Sequence, residues 1–168
     1  MALVQTVLKQ NILNAMNKIK ASKESDITSP LLSSVDAQAY ADAYHSYAAS
    51  AMAGIATIAI PGQASALKGP LMGMPLFTGW GPGLVAYWTP VMFTGPGYIP
   101  VNPTIAAGAI GASAEIALLL PPNKTNVKTE EEFADKLATI LDSWTKKVMV
   151  TLTTLPTPVP VVSVSPLS

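Results

Sequence analysis

The chain has 168 residues; 49% are hydrophobic and only 12% charged, about half the charged share of an ordinary globular domain. Ten lysines balance ten acids and no arginine occurs, which excludes guanidinium forks for phosphate or carboxylate and leaves no basic stripe for nucleic acid. The absence of cysteine excludes disulfides, thiolate nucleophiles and cysteine-ligated metals, and the length suits one domain with its own core.

In chain order, residues 3–20 form the first expected helix. Val4, Val7, Leu8, Ile12, Ala15, Met16 and Ile19 follow the three-and-four spacing of an amphipathic helix. The start, MALVQTVLKQNILNAM, lacks a charged region followed by an unbroken apolar run, so it does not read as a secretory signal and synthesis in a cytoplasm is expected. The next ten residues, ASKESDITSP, mix serines, charges and proline and read as a linker. A second helix is expected over 35–60, with Ser34 as N-cap, Asp36 near the positive end of the dipole, and Pro61-Gly62 as the stop. Tyr40, Tyr44 and Tyr47 fall on one of its faces, among alanines that allow close packing.

Residues 61–102 read as irregular. Prolines at 70, 75, 82, 90, 96 and 100 each remove an amide donor and restrict the residue before them. Six aromatic residues fall between Phe77 and Tyr98. Large rings on such a stretch suit a hydrophobic plug or an inter-subunit loop better than a sugar site, because polar residues to orient a sugar are almost missing.

Asn102-Pro103-Thr104 reads as the cap and first positions of a third helix over 103–120, ended by Pro121-Pro122. A fourth helix is expected over 130–147. Thr129 and Glu132 suit a capping box, Glu130, Glu131 and Glu132 fill the first turn, and Phe133, Leu137, Ile140, Leu141, Trp144 and Val148 supply an apolar face. Residues 148–168, rich in valine and threonine and then in proline, read as an extended β or polyproline arm able to add to a neighbouring sheet.

Candidate chemistry is sparse. His45, the single histidine, has Asp42, Ser46 and Ser50 nearby, but on a helix Ser46 points about 100° away from His45. A polar stripe is the simpler reading. Glu115 stands alone in an apolar segment and needs a partner, a proton or a surface position. One histidine without cysteines, and glycines without a following lysine-serine pair, point to no metal, cofactor, nucleotide or small-molecule substrate site and to no enzyme.

Two segments, Val101 to Leu120 and Ala39 to Ile60, approach membrane-spanning length. The first carries Glu115, at about 2.5 to 3.5 kcal/mol for a helix centre. The second carries Asp42 and His45. A membrane-associated or membrane-inserting protein is therefore the alternative reading. The leading one is a mainly helical single domain whose low-charge surfaces are covered in an oligomer or by other structural proteins. Its expected contact residues are Val4, Leu8 and Ile12 of the first helix, Phe77, Trp80 and Trp88 of the midsection, and Val150, Leu152, Val162 and Val164 of the tail. The run TEEEFADKLATILDSWTKKV continuing into MVTLTTLPTPVPVVSV resembles minor structural components of tailed-bacteriophage virions. That resemblance implies a neck, tail or baseplate subunit located in the virion.

Overall fold

The computed structural model describes residues 3–22, 32–74, 78–105, 116, 129–154 and 162–168, which contain five helices and two small antiparallel sheets. Helix α1 (Gln5–Ser22) buries Leu8, Ile12 and Ala15 of the stripe its spacing predicts, while Val4 and Val7 at its start stay exposed. It packs against both α2 (Ser34–Ala48) and the last helix, α5 (Glu130–Thr145). Lys9 reaches Glu131 and Asp135 at 3.4 Å each, and Lys20 pairs with Glu130. Exposed pairs of this kind contribute less than about 1 kcal/mol each. The buried stripe therefore holds α1 in place, and the ion pairs add little.

Helix α2 is capped by Ser33, not Ser34: the Asp36 amide donates to Ser33 Oγ at 3.1 Å. It ends at Ala48 instead of continuing to 60, which corrects the expected second helix. The remainder forms β1 (Met52–Ala53) and β2 (Ala56–Ile60), joined through Gly54 at φ +59°. A residue without Cβ adopts that conformation at little cost, and the β-branched run Thr57, Ile58, Ile60 then favours strand over helix. Strand β3 (Met92–Thr94) pairs antiparallel with β2 to complete the sheet order β1-β2-β3.

The stretch expected to be irregular holds two helices, α3 (Ala64–Gly73) and α4 (Trp80–Trp88). At α4 proline placement explains the difference: Pro82 lies in the first turn, where the missing amide has no helical acceptor to lose. Pro70 lies inside α3 and lacks the amide that a helix would direct at Ala66 O; α3 ends soon after it, with Met74 N–H donating to Pro70 O at 3.1 Å.

Residues 101–104 are extended, not the start of a helix. Val101 exchanges main-chain hydrogen bonds with Phe93 and Thr104 with Met149, while Asn102 Nδ2 donates to Val91 O at 2.7 Å. The rest of the expected third helix lies outside the described residues except Ile116, which is helical and buried. Helix α5 follows its sequence signals closely. The Glu132 amide donates to Thr129 Oγ1 at 3.1 Å, and Ala134, Leu137, Ala138, Leu141 and Trp144 are buried.

The C-terminal arm is not free. Strand β4 (Met149–Thr153) pairs antiparallel with β5 (Val162–Pro166) of the same chain, from Met149 opposite Pro166 to Thr153 opposite Val162. The proline-rich residues 155–161, where a polyproline segment is expected, lie outside the described residues.

Candidate functional site

Two places concentrate features that bear on function: a polar and aromatic network inside the helices, and the outer side of the β4–β5 sheet.

The network centres on Tyr44, whose ring lies 5.4 to 5.9 Å from those of Tyr47, Trp80 and Tyr87. Trp88 Nε1 donates to Tyr44 Oη at 2.9 Å, and Tyr44 Oη lies 2.6 Å from Thr145 Oγ1. The Thr145 hydroxyl spends its proton on Leu141 O at 2.7 Å, so Tyr44 is the donor to Thr145. The proton order is thus Trp88 to Tyr44 to Thr145 to Leu141 O, a buried chain whose bonds reinforce one another. Beside it, Tyr47 Oη donates to Asp142 Oδ1 at 2.5 Å, and Lys146 Nζ donates to Asp142 Oδ2 at 2.8 Å. A nearly buried carboxylate is satisfied on both oxygens in this way.

Burial pushes the phenols of Tyr40, Tyr44, Tyr47 and Tyr87 well above the ordinary tyrosine range, and at Tyr47 the hydrogen bond to Asp142 adds to it. The network ties α2, α4 and α5 together. Replacing Tyr44 by Phe removes the acceptor of a fully buried indole N–H and should cost about 2 kcal/mol. Denaturant unfolding should show a lowered midpoint with an unchanged slope; an unchanged midpoint would mean that Trp88 has another acceptor.

The group around His45 is not brought together. His45 Nδ1 shares a hydrogen bond with Tyr87 Oη at 2.9 Å. Ser46 Oγ donates to Asp42 O and Ser50 Oγ to Tyr47 O, each within α2 or at its end, and the Asp42 carboxylate accepts from Gln38. Asp42 and Ser46 line a groove of about 150 Å³ between α1 and α2 with Asn11, Asn14 and Lys18, and His45 does not face it. Among the described residues, no three His, Asp or Glu side chains converge as a metal site would require. Glu115 lies outside the described residues.

The residues expected at an interface separate into two groups. Leu8, Ile12, Trp80, Trp88, Val150 and Leu152 are corrected: the chain's own core covers them, because helix packing and the inner face of β4 already remove them from water. Val4 is 48% exposed, and Val162 and Val164 are 57% exposed. Phe77 lies outside the described residues.

The outward position of the two valines has a specific cause. Leu167 is buried and its amide donates to Val148 O at 3.2 Å, which sets the parity of β5. Pro166, lacking an amide, then falls at a position that needs no donor toward β4. Alternation places Ser163 and Ser165 beside Leu152 and Val150 on the inner side, and Val162 and Val164 beside Thr153 and Thr151 on the outer side. On the far edge of β4, Ile99 N–H donates to Thr153 O at 2.9 Å and Thr104 pairs with Met149. Segments 98–105, 149–154 and 162–168 together carry no charged side chain.

Searches against protein-family models, curated proteins and solved structures give no significant match. No helix among the described residues is long and apolar enough to cross a membrane. Of the two spans considered for that role, Ala39 to Ile60 is interrupted at Ala48 by the β1–β2 hairpin, and most of Val101 to Leu120 lies outside the described residues.

Proposed function

We propose that this chain is a non-enzymatic structural subunit of a larger protein assembly, joined to its neighbours through the outer side of the β4–β5 sheet. The resemblance of the C-terminal region to minor virion components makes a tailed-phage particle its setting. One observation carries the reading: in β5 the valines face water and the serines face inward, on a sheet region without a charged side chain. A monomer gains nothing from that inversion, whereas covering the valines in an assembly returns roughly 25 cal/mol per Å² buried. The separate engagement of His45, Asp42, Ser46 and Ser50 supports a non-catalytic role for them.

Deleting the tail is a poor test, because Leu167 is part of the core and Ser168 pairs with Met52. Replacing Val162 and Val164 together by lysine instead charges the outer face while leaving the core intact. Native mass measurement should find the wild-type chain in a defined oligomer and the double variant as monomer, with stability changed by no more than about 0.5 kcal/mol per site. A wild-type chain that remains monomeric up to about 100 μM would overturn the reading.

A further inference from the structure

The outer edge of β5 has a hydrogen-bond pattern that selects its partner. Ser163, Ser165 and Leu167 direct their main-chain groups toward β4, as the Leu167 bond to Val148 and the register require. Val162 and Val164 therefore direct N–H and C=O away from β4, and neither has a hydrogen-bond partner among the described residues. At the far end the edge is closed. Pro166 has no amide, and Ser168 exchanges two bonds with Met52 of β1, at 2.9 and 3.0 Å. An open stretch centred on Ser163 remains, bearing two donors and two acceptors.

We infer that this stretch pairs antiparallel with the same stretch of a second copy of the chain, about a twofold axis at Ser163. This deepens the assembly reading above and rests on it. With Ser163 opposite its own counterpart, Val162 of each copy faces Val164 of the other, and both are residues with outward main-chain groups. Four inter-chain hydrogen bonds form, and no outward donor of the stretch is left over. The two sheets join in the order β4-β5-β5-β4, and four valine side chains make one row on the shared outer face.

A foreign strand could satisfy the same donors, but the edge is matched to itself. It is uncharged, so two copies meet without like-charge repulsion. The devices that commonly block an edge, a lysine, a bulge or a central proline, are missing from Val162 to Ser165.

Two measurements test the register. The chain has no cysteine, so Ser163→Cys introduces a single thiol. At a non-hydrogen-bonded pair on the axis the two Cα atoms stand about 4.5 Å apart, within disulfide reach. Mild oxidation should give a covalent dimer, while Val35→Cys, exposed on α2, should form no covalent dimer. Val164→Pro deletes an outward amide without touching the β4 ladder and should raise the dimer dissociation constant roughly tenfold or more, with circular dichroism unchanged.

Cross-linking of Ser163→Cys no better than the control, or a Val164→Pro chain as dimeric as wild type, would overturn the pairing. An oligomer that resists Val164→Pro but dissociates in the Val162 and Val164 lysine variant would overturn the edge pairing alone and leave the assembly reading in place. A wild-type monomer would remove both.

Discussion

Above pH 10 the chain is expected to unfold cooperatively, with the appearance of tyrosinate absorbance and the loss of helical circular dichroism in one step. The four phenols of Tyr40, Tyr44, Tyr47 and Tyr87 have folded values raised above the ordinary value near 10, desolvation being the largest cause in each. The sign follows from proton counting. Below pH 10 both folded and unfolded chains keep these protons, and the stability they accompany is fully present. Above it the unfolded chain releases protons that the folded chain retains, so stability falls as pH rises.

Each phenol lowers stability by about 1.4 kcal/mol per pH unit in that window, and four together by roughly 5 kcal/mol per unit. Against a total of about 5 to 15 kcal/mol for a domain, unfolding is expected between roughly pH 11 and 12. If all four ionised gradually near the ordinary value while circular dichroism stayed constant, the burial of the aromatic network would be refuted.

Gly79→Ala should be the most damaging of the conservative substitutions. A Cβ at this position would lie 2.1 Å from the carbonyl oxygen of Pro70 and 2.4 Å from its carbonyl carbon. Both are backbone atoms, so no side-chain rotation relieves the overlap, and α3 and α4 must move apart. Helix α4 carries Trp80, Leu84, Tyr87 and Trp88, all fully buried, so the shift spreads into the network around Tyr44. Overpacking commonly costs 1 to 3 kcal/mol; against rigid backbone we expect about 3 kcal/mol or more, a drop of about 10 °C in Tm.

The same change at Gly73 supplies the contrast. That position is exposed in the last turn of α3 with open space around the added methyl, and alanine there should stabilise by about 0.5 kcal/mol through helix propensity. Equal Tm values for the two variants would mean that α3 and α4 do not approach as described.

Legibility from sequence varied with how local the signal is. Helix α5, its Thr129 cap and the α1 stripe depend on residues within a few positions of each other, and periodicity found them. The tyrosine face of α2 was legible for the same reason. Its hydrogen-bonding partners were not. Thr145 and Asp142 look like ordinary polar residues of a helix end, and the one available hint was their place beside Leu141 and Trp144 on the apolar face. The role of Tyr87 as partner of His45 joins residues of two different helices, which no local pattern encodes.

By itself, the sequence determined the low charge, the missing arginine and cysteine, the helical periodicity at both ends and the aromatic richness of the middle. Those are properties of composition and of neighbours along the chain. Only the tertiary structure decided that α2 stops at Ala48, that helices form around Pro70 and Pro82, and that the tail folds back as β5. It also decided which side of β5 faces water. A strand read alone has two equivalent parities, and the buried Leu167, with its bond to Val148, is what chose between them.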